Sequence, residues 1–201
     1  MRFSRQSTAT AALIAGVLAA SPAMAQDLSA IPSGTYVVEP THAYITFSYD
    51  HLGLSKPTLA FDEFDITVEL DVDDPTNSTI AVSIDPASVV AGSDIWKEHL
   101  TGDKFFDVAA HPEITFASTS VEASEGGALK VMGDLTIKGT SQPVVLDVTI
   151  NGAMPHPRSG VPMLGIDAVT EVMRSDFGMG VAVPAVGDEV TIKVTAELEN
   201  K

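Results

Sequence analysis

The 201-residue chain has no cysteine, and that one absence removes disulfides, thiol nucleophiles, Cys-ligated zinc, blue copper and iron–sulfur clusters together. Aromatic rings are also scarce, at one Trp, three Tyr and eight Phe. A transmembrane β-barrel needs aromatic girdles and an apolar outer band, and these few rings, with charged residues at alternate positions, supply neither. Positive charge is the third shortage. Lys and Arg total 11 against 27 Asp and Glu, and setting aside Arg2 and Arg5 leaves a net charge of about −18. A surface of that sign repels nucleic acid and anionic lipid, so neither nucleic-acid binding nor stable membrane insertion is expected. The Gly-x-Ser-x-Gly elbow, the phosphate-cradling Gly-rich loop and the Rossmann fingerprint are missing as well. With no recognisable pair of carboxylates marking a pocket, their expected place is a solvated outer face, and no cofactor is expected.

Long apolar runs are confined to the amino terminus. Arg2 and Arg5 form a basic start, Ala9 to Ala20 a short apolar core, and Ala23, Met24, Ala25 a small-x-small cleavage site. Residues 1–25 therefore read as a cleavable signal peptide, with the mature chain beginning at Gln26 and exported to the periplasm. Residues 26–201 read as one soluble domain, long enough to bury a core without disulfides.

What the chain does have is alternation. Apolar residues occupy every second position in eight stretches: Ile45 to Tyr49, Ile66 to Val72, Ile80 to Ile84, Ile114 to Phe116, Leu129 to Ile137, Val144 to Ile150, Leu164 to Val172 and Val190 to Leu198. Period two puts those side chains on one face of a strand and the intervening, mostly polar residues on the other. Phe47 and Val68 should point inward, Thr46 and Glu69 outward. Short links rich in Asp, Asn, Gly and Ser make sequential strands antiparallel neighbours. The expected fold is all-β: a single-domain, eight-stranded antiparallel up-and-down barrel, because closure removes the edges an open sheet would expose. A sandwich is the alternative.

Three connections exceed simple turns, and function is expected there. Asp85 to Glu113 should hold one short helix around residues 93–106, capped by Ser93 or Asp94, with Ile95 and His99, and Trp96 and Leu100, four apart on one side. Asn151 to Pro162 reads as a surface loop around His156 and Arg158, and Met173 to Asp188 carries Arg174, Ser175, Asp176, Phe177 and Gly178. Inward residues are mostly medium-sized, while Trp96, Phe105, Phe106 and Phe177 lie in the connections. That distribution suits an elongated void closed by bulky residues at one end, with a plain filled core as its rival.

Residue order adds a resemblance. Pro40 to Phe47 followed by His51, Leu52, Gly53, then His99, Leu100 with Phe105 to Val108, Pro112, Ile114, Phe116 and Ser118, then Gly133 to Thr140 with Pro143 and Val144, and lastly Arg174 to Gly178, resemble in order the blocks of the YceI family of periplasmic polyisoprenoid-binding proteins. The resemblance spans nearly the whole mature chain. It implies a non-catalytic, extended, lipocalin-like barrel holding a polyisoprenoid, or a quinone or fatty-amide-like lipid, as carrier, buffer or stress-related protein. On the residues above, the expected ligand-binding set is Ile45, Phe47, Tyr49, Val68, Trp96, His99, Leu100, Phe105, Phe106, Phe116, Leu135, Arg174 and Phe177. The family often has Asp before and Arg after its His-Leu pair, where this chain has Lys97, Glu98 and Thr101; it also replaces glycines near the third strand by Leu59, Ala60 and Ile66. An anionic pyrophosphate head is then disfavoured against a neutral alcohol, quinone or amide unless Lys97, Lys104 and Arg174 converge. Two other readings stay open: a metal-binding protein using His42, His51 and His99, or a filled barrel binding an envelope protein through its loops. Self-association into a homodimer is open too.

Overall fold

All eight alternating stretches are strands, and they close into an antiparallel barrel. The structure is a computed structural model and describes residues 27–201, so the expected signal peptide and its cleavage site lie outside the described residues. In chain order the strands are β1 (Gly34–His51), β2 (Thr58–Phe61), β3 (Phe64–Leu70), β4 (Thr79–Ile84), β5 (Val89–Val90), β6 (Ile114–Ala123), β7 (Leu129–Ile137), β8 (Thr140–Pro155), β9 (Pro162–Met173) and β10 (Val186–Asn200). The ring runs β1, β3, β4, β6, β7, β8, β9, β10, and β10 returns to β1 along Tyr36 to His51.

The two short strands are new relative to the sequence expectation, yet they leave the eight-strand ring unchanged. β1 pairs with β3 through its first residues and with β2 through Ile45 to Ser48. β2 and β3 are thus one barrel strand broken at Asp62–Glu63, and β5 extends β4 in the same way, pairing with β2 at Ala60 and Phe61. The second break is a 3-10 turn over Pro86–Ser88, where the Asp85 carboxylate accepts from the Ala87 N–H at 2.8 Å. Between β7 and β8 the two-residue loop Lys138–Gly139 has φ of 51° and 71°, the geometry of a hairpin turn that matches strand twist.

Facing follows parity. Phe47 and Val68 are buried, Glu69 is exposed and Thr46 is partly so. The barrel has two unlike halves. One end is filled by Tyr36, Ile66, Val131, Leu164 and Leu198, with the Tyr36 hydroxyl donating to the Pro32 carbonyl at 2.7 Å and Leu28 and Ile31 buried just ahead of β1. Only a gap of about 30 Å³, the share of one water, remains there. The other end is hollow. Neither a wholly filled core nor a continuous bore describes the interior.

The connections need two corrections. The helix, α1, covers Asp94–Thr101, capped by Ser93 whose hydroxyl accepts from the Trp96 N–H, and stops at Gly102 rather than running to residue 106. Beyond it the Phe106 N–H bonds back to the Leu100 carbonyl at 2.9 Å and Asp107 takes a φ of 50°, a reversal that turns Phe106 inward as a continued helix would not. The expected loop from Asn151 to Pro162 is half strand, since β8 runs to Pro155 and β9 starts at Pro162; its tip lies at the filled end. The two remaining long connections flank the hollow end.

Candidate functional site

The hollow half is a cavity of about 590 Å³. It is walled by the residues of β1 from Ile45 onward, the second halves of β4, β7 and β9, and the first halves of β6, β8 and β10. At the side where β5 ends and β6 has not begun, α1 and the turn after it cover the wall. Trp96 and Leu100 face the cavity from the helix, and Phe105 and Phe106 from the turn. Aromatic contacts hold this cover in place. Phe47, Phe61 and Phe106 form a cluster with ring centroids 5.2 to 6.1 Å apart, and the Trp96 ring meets that of Phe105 edge to face at 5.6 Å. Lys138 in the β7–β8 turn donates to the Asp103 carbonyl at 2.5 Å, tying the cover to the barrel rim.

The mouth loop between β9 and β10 is organised by a buried arginine. Arg174 donates from Nε to the Gly187 carbonyl (2.8 Å), from Nη1 to those of Val181 (2.9 Å) and Met179, and from Nη2 to that of Val186 (2.9 Å). Burial lowers its pKa, opposed by the Asp188 charge. Asp188 itself is held below the usual carboxylate range, chiefly by the Ser175 hydroxyl that donates to it at 2.7 Å. Burial raises the pKa of the Tyr49 phenol across the mouth, with the Trp96 side chain and the Arg174 charge acting in the opposite direction.

Eleven of the thirteen expected site residues line this one cavity. Val68 does not: it points inward as expected, but at the filled end, beside Leu70 and Ile80. His99 does not either. A helix that buries Trp96 and Leu100 turns Ile95 and His99 away, leaving both exposed, with His99 touching only the outer edge of Trp96. Lys97 and Lys104 are likewise exposed and absent from the wall, so the cationic convergence left open above does not form; Arg174 reaches it alone, four of its five donors spent on carbonyls. The three-histidine metal set is not assembled. His42 and His51 lie nine positions apart on β1, roughly 30 Å along a strand. His42 instead bonds Glu39 at 2.8 Å on the outer face, near Glu197.

Sequence reasoning passed over Phe61, whose strand is too short to show alternation, and the mouth residues Met179 and Val181. It also passed over Thr170, although parity between Ala168 and Val172 points it inward. Gly133 matters to the shape of the cavity without lining it. A Cβ there would meet the Phe116 ring and come within 2.5 Å of the Ala117 carbonyl oxygen, so glycine lets Phe116 lie flat against β7. Gly133→Ala should push that ring toward the lumen and cost about 1–3 kcal/mol, lowering the thermal midpoint by roughly 2–10 °C. An unchanged midpoint in a calorimetric scan would contradict this packing.

Residues 36–198 match the model of the YceI-like domain. A UPF0312 protein of Pseudomonas savastanoi is 33% identical over 177 residues, covering 87% of this chain and 88% of that protein. BcnA of Burkholderia cenocepacia superposes with a TM-score of 0.73 at 25% identity, over 80% of this chain and 98% of that one. A polyisoprenoid binding domain from Saccharophagus degradans shares the fold with a TM-score of 0.62 at 13% identity, over 83% of this chain and 98% of its own.

Proposed function

The chain belongs to the YceI-like domain family, and from the cavity it builds we propose that it is an exported, non-catalytic binding protein that holds a polyisoprenoid or another long apolar lipid inside its barrel. The observation that carries this reading is an apolar cavity, closed at one end, whose wall among the described residues holds no charged side chain other than the carbonyl-bound Arg174. Its volume equals that of about 20 water-sized groups, which suits one long chain rather than a compact metabolite. Each methylene buried contributes ~0.8 kcal/mol, so such a chain could gain on the order of 10 kcal/mol after ordering losses. Tight binding then needs few polar contacts. The structural neighbour from Saccharophagus degradans is a polyisoprenoid binding domain, which makes isoprenoids the first class to test. The signal-like residues 1–25 support a periplasmic location as part of this reading.

Solvent extraction of the native periplasmic protein, followed by mass spectrometry, should recover a lipid in stoichiometric amount from a chain beginning at Gln26. Titrating the lipid-free protein with polyprenol, quinone and fatty amide should change the fluorescence of Trp96, the single tryptophan, and raise the thermal midpoint, because a ligand that binds only the folded state must do so. Trp96→Ala and Leu100→Ala should both reduce co-purifying lipid. No extractable lipid, no Trp96 response and an unmoved midpoint would together overturn the carrier reading; an intact Met1 form as the stable species would overturn export.

A further inference from the structure

Thr170 is the one side chain that interrupts the deep apolar wall. It is 8% exposed, on the inward face of β9 between Ala168 and Val172, and its cross-strand neighbour on β10 is Ile192. None of the side-chain hydrogen bonds among the described residues involves its hydroxyl, which opens into the cavity rather than being sealed from it. The other polar groups of the wall, Tyr49, His51, Trp96 and Arg174, belong to the mouth. Arg174 follows four positions later in the chain, roughly 13 Å further up at strand spacing. A hydroxyl presented to an otherwise apolar cavity offers a hydrogen bond that valine, of nearly the same shape, would not.

We propose that Thr170 is a specificity-determining residue near the cavity floor, hydrogen-bonding a neutral polar group, an amide, carbonyl or hydroxyl, that the lipid carries deep into the barrel. The inference rests on the carrier reading and adds to it the class and depth of the ligand's polar group. Neutrality follows from the surroundings: the neighbours of Thr170 in the wall are apolar, and Arg174, four of whose five donors bond carbonyls, lies at the mouth. An anionic group at this depth would have no counter-charge. A threonine hydroxyl both donates and accepts, so it suits an alcohol as well as an amide.

The test compares oleamide, oleyl alcohol and the hydrocarbon octadecene as ligands of the lipid-free wild type, Thr170→Val and Thr170→Ser, read by Trp96 fluorescence and thermal midpoint. Thr170→Val should lower the preference for oleamide and oleyl alcohol over octadecene by about five- to tenfold, the value of one hydrogen bond, while Thr170→Ser keeps it. Ligand-free Thr170→Val should melt at or above the wild-type temperature. A preference that survives Thr170→Val overturns the assignment and leaves the carrier reading standing, as does a ligand-free Thr170→Val that melts well below wild type, which would make the hydroxyl a structural group. A wild type that takes up none of the three overturns the assignment, and the carrier reading falls with it only if polyprenol and quinone are refused as well.

Discussion

Phe47→Asp should leave no stably folded protein, whereas Thr46→Asp, one residue earlier, should move the thermal midpoint by no more than about 2 °C. The contrast comes from the pleat. Phe47 points into the barrel, stacks on Phe61 at 5.2 Å and meets Phe106 at 6.1 Å, so a carboxylate there would lose the aromatic cluster that seats the cover and would be buried without a cation. An unpaired buried charge alone costs several kcal/mol, comparable with the whole stability of a domain. Thr46 faces outward opposite Lys193 on β10, and a carboxylate there stays in water beside a lysine. Val68→Asp should be as damaging as Phe47→Asp, although Val68 belongs to the filled end. Far-ultraviolet circular dichroism with urea unfolding checks all three. Equal tolerance at positions 46 and 47 would contradict the inward face of β1.

Arg174→Met is the second large expected effect: a loss of about 3–5 kcal/mol, a midpoint lower by roughly 10 °C, and reduced retention of lipid. Methionine fills much of the same space but donates nothing, leaving the carbonyls of Met179, Val181, Val186 and Gly187 without the fork that gathers them. Met179, Val181 and Val186 also line the cavity, so the loop that loses its clip is part of the wall. Arg174→Lys should restore little, because a single ammonium cannot span carbonyls that a planar guanidinium reaches from three nitrogens. A chemical-denaturation series on the two variants decides it. Arg174→Met as stable as wild type would mean that the mouth loop holds its shape without the arginine.

The fold was legible where the signal is local. Alternation marks a strand and its inward face without reference to any distant residue, which is why Ile66, Val68 and Leu70 could be read as buried and Thr67 and Glu69 as outward. Short turns such as Lys138–Gly139 make their flanking strands neighbours. The helix cap at Ser93 was equally readable, because a cap depends on residues three apart. The far end of that helix was not. Its stop at Gly102 depends on Phe106 finding Phe47 and Phe61, residues 59 and 45 positions upstream in the chain.

By itself, then, the sequence determined eight strands, their facing, their antiparallel order and the apolar character of the interior, since each is written in spacings of two to four residues. Tertiary structure decided depth and direction. Phe47 and Val68 carry the same signal in sequence, yet closure of β10 onto β1 places one in the cavity wall and the other at the packed floor. His99 and Trp96 share one helical turn, but only docking against β5 and the barrel rim selects which of them turns inward. Arg174 could have met a ligand's phosphate or its own backbone, and the choice was made by the path of a loop whose carbonyls reach it from up to 13 residues away. Position along the barrel axis and the partner of a buried charge depend on contacts between distant segments, and a pattern read over neighbouring residues holds no information about either.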